Sequence, residues 1–344
     1  MGKQKTEESM KKLLIILLSL LVLPALLFAN GQQASASAEP EQIVLRLGEL
    51  NPDSHPCGMA SHEFARLISE RTDGRIKVEV YTSGQLGDQE TQINQLVMGA
   101  LDMYRTNPQF LNDFGVPVMK VLSLPYIFKT VDHCWNVLDS EIGTDFLASI
   151  EEANVGLVGV GWYAESARNY FFTDKKVTKV ADMKGLKLRV PPSNMYMETT
   201  QAFGANPTPI AYSELYSALQ TGVVDGAENP LSGYSANKFN EVAGYYTFDG
   251  HELSPSIMLF SQVKWEKLSA ADQQIVNETW NETEAYIRVI TEEVDKKVIS
   301  DLTAQGIQFY EVDDKQEWID AVQPLYSKYG EGYEDLISSI HAID

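Results

Sequence analysis

Three arginines lie within or at the end of apolar, strand-like segments. Arg189 interrupts the run 186–191, and Arg105 and Arg168 stand in similar surroundings. A buried guanidinium is unfavourable without an anion, and its planar fork matches a carboxylate through two parallel hydrogen bonds. Because ligands of α/β proteins bind beyond strand ends, this grouping favours a pocket for a small organic acid. The alternative for each arginine is a salt bridge with a buried Asp or Glu of the protein itself.

No catalytic or metal-binding motif stands out elsewhere in the chain. Residues 159–164 match G-x-G-x-x-A after a strand, but strand-like residues 165–172 follow where a dinucleotide fingerprint needs a helix. The histidines are scattered, with no H-E-x-x-H pattern and no close cysteine pair for zinc. Neither a P-loop nor a G-x-S-x-G elbow occurs. The sequence therefore predicts no cofactor and no metal, and it favours binding over catalysis.

The charge balance limits the partners of the chain. The sequence has 48 acidic and 27 basic residues among 344, a net charge of −21. Such a field repels nucleic acid and anionic lipid surfaces, so we expect no nucleic-acid and no membrane-surface partner. The length exceeds one typical domain and predicts two lobes.

The amino terminus has the pattern of a secretory signal. Lys11 and Lys12 precede the apolar run 13–29, and small and polar residues continue to Ala38. A basic start, an apolar middle and a small-residue end are typical of a signal peptide. An uncleaved membrane anchor is the alternative, but seventeen residues are few for a span.

The two cysteines leave a disulfide open. Cys57 and Cys134 lie far apart in the sequence, at what look like two helix starts. An exported protein can oxidise such a pair, but the pairing cannot be deduced from spacing.

Alternating strand and helix patterns from residue 42 predict a mainly parallel sheet with helices on both sides. The strand candidates are 43–48, 75–81, 101–106, 155–160, 168–172, 186–190, 209–211 and 245–248. Residues 256–261 could return to the first sheet. Ser269 opens a helix with a capping-box pattern, and no proline or glycine interrupts it to about Leu302. A helix of that length is unusual in a globular protein, so we expect it to run across both lobes.

The mature chain, about residues 42–335, resembles the extracytoplasmic solute-binding proteins of tripartite ATP-independent periplasmic (TRAP) transporters, the DctP-type family. Four similar segments follow one another in the expected order, and two more lie upstream. They are 182–191 (DMKGLKLRVP), 204–209 (GANPTP), 214–222 and 225–230 (DGAENP), with 83–88 (SGQLGD) and 124–126 (LPY) before them. One departure is Ala227, where many members carry glutamine.

The resemblance implies a two-lobed α/β periplasmic binding protein fold. Mixed sheets flanked by helices would form each lobe, with a hinge between the lobes and the long helix spanning both. We expect residues 1–38 to form the signal peptide. Lobe I would combine 39–165 with 254–294, and lobe II would combine 166–253 with 295–344.

The resemblance also implies a ligand site. Arg189 would grip the ligand carboxylate in a bidentate pair, Asn229 would donate to the same group, and Arg168 would add a second contact. Further contacts with the ligand are expected, by position, from Tyr212, Arg105, Glu49, Asn107, Asp88, Trp162 and His251.

The resulting hypothesis is a periplasmic, monomeric receptor without a cofactor. It would capture a small organic acid and deliver it to the membrane permease subunits of a TRAP transporter. Glu49 or Asp88 could accept hydrogen bonds from hydroxyls, which favours a sugar acid such as glucuronate or galacturonate. A dicarboxylate or a 2-oxo acid is the main alternative. An exported α/β enzyme acting on a carboxylate, and a sensor subunit, are the other two.

Overall fold

The computed structural model describes residues 42–253 and 255–344, so the predicted signal peptide lies outside the described residues. Within this part of the chain the strands form one five-stranded and one six-stranded sheet. The strands are β1 Ile43–Gly48, β2 Ile76–Tyr81, β3 Met103–Thr106, β4 Leu157–Tyr163, β5 Arg168–Phe172, β6 Lys187–Val190, β7 Asn206–Pro209, β8 Gly226–Pro230, β9 Tyr245–Glu252, β10 Ser256–Ser261 and β11 Gln308–Glu311.

Helices flank both sheets. They are α1 Pro56–Arg71, α2 Gln89–Val97, α3 Pro108–Asp113, α4 Val131–Leu138, α5 Glu141–Glu152, α6 Asn194–Ala202, α7 Leu215–Gln220, α8 Leu231–Ala236, α9 Gln262–Trp265, α10 Ala270–Ala304, α11 Lys315–Tyr329 and α12 Glu334–Ala342. Four short 3₁₀ helices connect some of these elements, at Pro117–Ser123, Val180–Met183, Tyr212–Glu214 and Phe239–Glu241. Among the described residues, no helix combines the length and the apolarity that a bilayer crossing requires.

Each sheet is parallel except for one strand. The first sheet has the order β2-β1-β3-β10-β4, and β10 runs antiparallel to both of its neighbours. The second has the order β11-β9-β5-β8-β6-β7, and β5 runs antiparallel to β9 and β8. The expectation of a mainly parallel sheet is thus correct for most strands. It missed the two reversed ones, because an apolar run has the same pattern in either direction.

The reversed strands mark the places where the chain crosses between lobes. Residues 164–167 lead from β4 in the first sheet to β5 in the second, and the chain returns from β9 to β10. The prediction that residues 256–261 rejoin the first sheet is confirmed. The two-lobed α/β fold is confirmed as well, and among the described residues two strand-to-strand connections, β4 to β5 and β9 to β10, link the lobes.

The long helix α10 spans 35 residues and packs on both lobes. It begins as predicted, because the hydroxyl of Ser269 accepts a hydrogen bond from the backbone N–H of Asp272 at 3.1 Å. Trp280 lies in the apolar cluster under the first sheet, whereas Leu302 lies in a cluster of the second lobe. One helix therefore joins the two apolar cores, as expected from its length.

The G-x-G pattern at Gly159 and Gly161 is a packing feature. A Cβ on Gly161 would overlap the indole ring of Trp280, and one on Gly159 would press on Ile150 of α5. The two glycines let helices on both faces of β4 approach the strand closely. Close packing therefore explains the G-x-G pattern, and no dinucleotide site is needed to account for it.

The chain end returns to the first lobe. Ile340 of α12 is buried in the apolar cluster that contains Cys134, and its carbonyl lies 2.9 Å from Nε2 of His133. Cys134 and Cys57 are both buried free thiols, so the structure contains no bond between them.

Candidate functional site

A cavity of about 780 Å³ lies between the two sheets and takes its lining from both lobes. Seven of the ten residues predicted to contact a ligand line it, namely Arg189, Asn229, Arg168, Tyr212, Arg105, Asn107 and Asp88. Arg189 and Asn229 stand near the carboxyl ends of β6 and β8, which run parallel. Because β5 runs the opposite way, its first residue, Arg168, reaches the same edge of the sheet.

Arg189 has no carboxylate partner among the described residues. Its side chain is 1% exposed, and Nε donates to the carbonyl of Ile210 at 2.9 Å. Nη1 is buried and makes no hydrogen bond within this part of the chain. Burial lowers the pKa of Arg189 to about 10, and the attraction of Glu228, which forms no ion pair with Arg189, offsets this only in part. The guanidinium carbon lies 5.6 Å from the centre of the Tyr212 ring.

Amide and phenol groups surround this arginine and link the two lobes. Asn229 Nδ2 donates to the hydroxyl of Tyr212 at 3.3 Å, and Asn237 Nδ2 donates to the same oxygen at 2.8 Å. The Tyr212 hydroxyl in turn donates to Oδ1 of Asn51, in the first lobe, at 3.2 Å. These groups offer donors and acceptors beside Arg189, and they hold the lobes together at one side of the cavity.

Arg168 is neutralised within the protein. Its Nε and Nη2 donate to the two carboxylate oxygens of Glu228 at 2.5 and 2.9 Å. Although burial alone lowers the pKa of an arginine, the attraction of Glu228 leaves the pKa of Arg168 well above its usual value. Its guanidinium also lies over the ring of Tyr196, 5.0 Å from the centre. The salt-bridge alternative considered for this residue therefore holds, although it still lines the cavity.

Arg105 is also neutralised, by two carboxylates. Nε and Nη2 donate to Glu49 at 2.7 and 3.0 Å, and Nη1 donates to Glu165 at 2.8 Å. Nη1 donates further to the hydroxyl of Ser256 at 2.7 Å. The cluster carries one positive and two negative groups, so Arg105 adds no net positive charge to the cavity. Burial raises the pKa of Glu165 against the attraction of Arg105.

Three of the predicted contacts do not line the cavity. Glu49 lies behind Arg105, with both oxygens used by that arginine and by Asn51. His251 is buried behind Arg168, with Nδ1 2.6 Å from Asp249 and Nε2 3.8 Å from Glu228. These residues support the arginines, and direct contact with a ligand does not follow from their placement.

Trp162, the third of them, belongs to the apolar cluster of the first lobe. Its backbone N–H donates to Glu284 of α10 at 3.1 Å.

Asp88 and Asn107 both line the cavity, at its first-lobe side. Asp88 caps α2, because its Oδ1 accepts from the N–H of Thr91 at 2.9 Å. Asn107 Nδ2 donates to the hydroxyl of Ser256 at 3.3 Å, and the Asn107 side chain makes no capping hydrogen bond to α3.

Sequence reasoning missed Glu165 and Glu228. Both belonged to segments already singled out, but a pattern in one strand does not show which residue lies beside it. In the structure Tyr170 pairs with Glu228 across β5 and β8, so Glu228 is diagonal to Arg168. Only the antiparallel register brings the two charges together.

The arrangement of side chains around the cavity suits ligand binding better than catalysis. No group of His, Cys, Asp or Glu among the described residues is placed to hold a metal ion. The cavity offers one unpaired guanidinium, several amides and a phenol, which are the groups that recognise a carboxylate and hydroxyls.

The comparisons with known proteins agree with this geometry. A family model described as bacterial extracellular solute-binding protein, family 7 (DctP), matches residues 47–332. The chain belongs to this family. Its members are periplasmic binding proteins, and the family is one of substrate-binding receptors. The predicted family and receptor function are confirmed.

Several similar proteins match most of the length of this chain. A solute-binding protein of Chromohalobacter salexigens is 35% identical over 291 residues, which are 85% of this chain and 86% of that protein. A TRAP periplasmic solute-binding protein of Bradyrhizobium sp. BTAi1, solved with galacturonate, is 36% identical with a TM-score of 0.81, covering 86% of this chain and 97% of that one. Another from Pseudomonas putida F1, solved with D-glucuronate, is 29% identical with a TM-score of 0.85, covering 88% and 98%.

Proposed function

We propose that this family 7 protein is a periplasmic receptor for a sugar acid with one carboxylate, such as glucuronate or galacturonate. The observation that carries the proposal is the buried guanidinium of Arg189, which faces the cavity without a carboxylate partner among the described residues. A ligand carboxylate would supply the missing anion and accept two parallel hydrogen bonds. Asn229 and Tyr212 lie beside Arg189 and orient the carboxylate of the ligand.

The charge balance of the cavity supports one carboxylate over two. Glu228 neutralises Arg168, and Glu49 with Glu165 neutralises Arg105. A second ligand carboxylate would be buried beside Glu165 without a free cation, which is unfavourable. Hydroxyls fit there, because a carboxylate and an amide oxygen accept hydrogen bonds from them. The uronates bound in the Bradyrhizobium and Pseudomonas structures have this composition.

The remaining parts of the proposal follow from the family and the sequence. Residues 1–38 direct export, and the mature protein delivers its ligand, as a monomer, to the membrane subunits of a TRAP transporter. Binding involves no covalent step. The bound ligand shifts the two lobes toward a closed form, and the permease recognises that form. The chain crosses between the lobes at residues 164–167 and again between β9 and β10, and these connections act as the hinge.

The variant Arg189→Lys tests the proposal. One ammonium cannot replace a two-pronged guanidinium, so we expect the affinity for glucuronate to fall by at least about a hundredfold. Isothermal titration calorimetry on the purified mature protein measures this directly. Arg66→Lys, on an exposed face of α1, is the matched control and keeps the affinity.

Two outcomes contradict the proposal. The first is an unchanged affinity in Arg189→Lys. The second is a preference for dicarboxylates or 2-oxo acids over uronates in a thermal-shift screen of the unmodified protein, since a bound ligand raises the melting temperature by mass action.

A further inference from the structure

The cavity is larger than one hexuronate. A water molecule has a share of about 30 Å³ of liquid volume, and with a similar share for each carbon and its oxygen a six-carbon sugar acid fills about 200 Å³. The cavity measures about 780 Å³, more than twice that amount. A monosaccharide bound at Arg189 would leave most of it to solvent.

The extra volume does not come from lobes that stand apart. Three side-chain contacts join the lobes, and residues that line the cavity take part in two of them. The Tyr212 hydroxyl donates to Asn51 at 3.2 Å, and Ser232 lies 3.3 Å from Nε2 of His55. Gln109 of α3 donates to the hydroxyl of Tyr196 of α6. The remaining space is therefore a feature of a structure whose lobes already touch.

The cavity runs from a buried end to an open end. Arg189 and Arg168, at the inner end, are 1% and 6% exposed. At the outer end Asp88, Asn94 and Asp113 are exposed, and they come from α2 and α3 and the turn before α2. Phe110 and Phe114 line the wall beside Asp113. We call the space lined by Asn94, Phe110, Asp113 and Phe114 the outer compartment.

The chemistry of the outer compartment differs from that of the inner end. Two phenyl rings offer apolar faces against which the C–H face of a sugar ring can pack. Asp113 and Asn94 offer oxygen acceptors for hydroxyls. Among the described residues that line the cavity, no lysine or arginine stands at this end, and Asp88 and Glu90 are further acids there. An anionic group would be repelled, whereas a neutral polyol would not.

We propose that the outer compartment binds a second, neutral sugar unit, so that the receptor accepts a disaccharide made of one uronate and one neutral sugar. This inference rests on the proposed function, because the uronate end of the disaccharide occupies the Arg189 site. The neutral sugar packs on Phe110 and Phe114 and donates its hydroxyls to Asp113 and Asn94.

Calorimetry with three ligands tests the inference. Glucuronate probes the inner end alone, glucuronosyl-xylose adds a neutral sugar, and digalacturonate adds a second carboxylate. We expect glucuronosyl-xylose to bind at least as tightly as glucuronate, and digalacturonate to bind at least about tenfold more weakly than glucuronosyl-xylose.

Two variants locate the effect. Phe114→Ala removes one ring and lowers the affinity for glucuronosyl-xylose by about tenfold, while the affinity for glucuronate changes less than about twofold. Phe114 also packs on the apolar cluster of the first lobe, so Asp113→Asn serves as a second variant that leaves the core intact. It lowers only the disaccharide affinity, by about threefold. Asp145→Asn, on an exposed part of α5, is the control and changes neither affinity.

The possible results separate the two proposals. Tight glucuronate binding with a disaccharide affinity at least about a hundredfold weaker overturns the second-sugar site and leaves the uronate receptor standing. Equal losses for both ligands in Phe114→Ala and Asp113→Asn overturn it too. If neither sugar acid binds, the proposed function fails, and the inference fails with it.

Discussion

Three buried arginines line the cavity, and they differ in the number of carboxylates that pair with them. Arg105 has two carboxylate partners, Arg168 has one, and Arg189 has none among the described residues. A buried cation without a counterion is unfavourable, and a ligand that supplies the counterion recovers that free energy. The difference in partners, with no difference in residue type, is the reason for proposing Arg189 as the anion site.

Glu228 is expected to be essential for stability, because its removal would leave Arg168 buried without an anion. Glu228→Gln should lower the free energy of unfolding by about 3 to 5 kcal/mol, measured by urea denaturation. Glu282→Gln is the matched control, since Glu282 pairs with Arg71 but is 54% exposed. The Glu282→Gln variant should lose less than about 1 kcal/mol of unfolding free energy. Similar losses in both variants would show that the Arg168 pair has no special role.

At the level of elements, the sequence shows where strands and helices lie but not how the strands pair. The capping pattern at Ser269 and the uninterrupted run to Leu302 predicted the long helix within two residues of its end at Ala304. Strand positions such as 168–172 were equally clear. The partners of Arg168 and Arg105 were not clear from the sequence. Glu228 reaches Arg168 only through the antiparallel β5 register, and Glu165 reaches Arg105 only because β10 pairs with both β3 and β4. Pairing is a long-range property that local periodicity does not encode.

The dependence on long-range contacts also explains why some of the predicted site residues line the cavity and others do not. Arg189 and Asn229 stand out by type and by their place near strand ends, and both line it. Glu49 follows β1 in the same way, but its carboxylate is consumed by Arg105. Only the arrangement of neighbouring side chains separates a residue that faces the cavity from one that lies behind it.

Helix α8 begins directly after β8 and constrains the amide of Asn229. A Cβ on Gly233 would overlap Oδ1 of Asn229, so Gly233→Ala should push that amide away from its position. We expect the glucuronate affinity to fall by about tenfold. Stability should hold or rise slightly, because alanine favours a helix. Calorimetry and thermal melting measure the two effects.

Gly244→Ala is the control for this variant, since a Cβ there meets nothing within 4 Å. If Gly233→Ala binds glucuronate as tightly as the unmodified protein, Asn229 does not contribute to ligand orientation.

At the scale of the whole molecule, contacts between the lobes that lie outside the cavity would determine how readily the lobes close over a ligand. Ser232 of α8 lies 3.3 Å from Nε2 of His55, and neither residue lines the cavity. Ser232→Ala removes this contact, worth about 1 kcal/mol, and shifts the population toward an open form. The affinity for glucuronate should therefore fall by up to about fivefold.

Small-angle X-ray scattering of the unliganded variant should show a larger radius of gyration. Ser61→Ala is the control, because the Ser61 hydroxyl bonds to Cys57 and Tyr163 within the first lobe. It should leave both the affinity and the radius unchanged. An affinity loss in Ser61→Ala as large as that in Ser232→Ala would mean that the loss reflects general loosening of the protein.

The chain order has a consequence for how the protein is made. The second sheet gains its edge strand β11 only at residues 308–311, and the first lobe buries Ile340 only when the last helix arrives. A ribosome or a translocation channel releases the amino end first. The second sheet stays incomplete until residues 308–311 emerge, and the first apolar core stays incomplete until Ile340 emerges. That property would suit the proposed export, in which the polypeptide passes through a narrow pore as an extended chain before it folds.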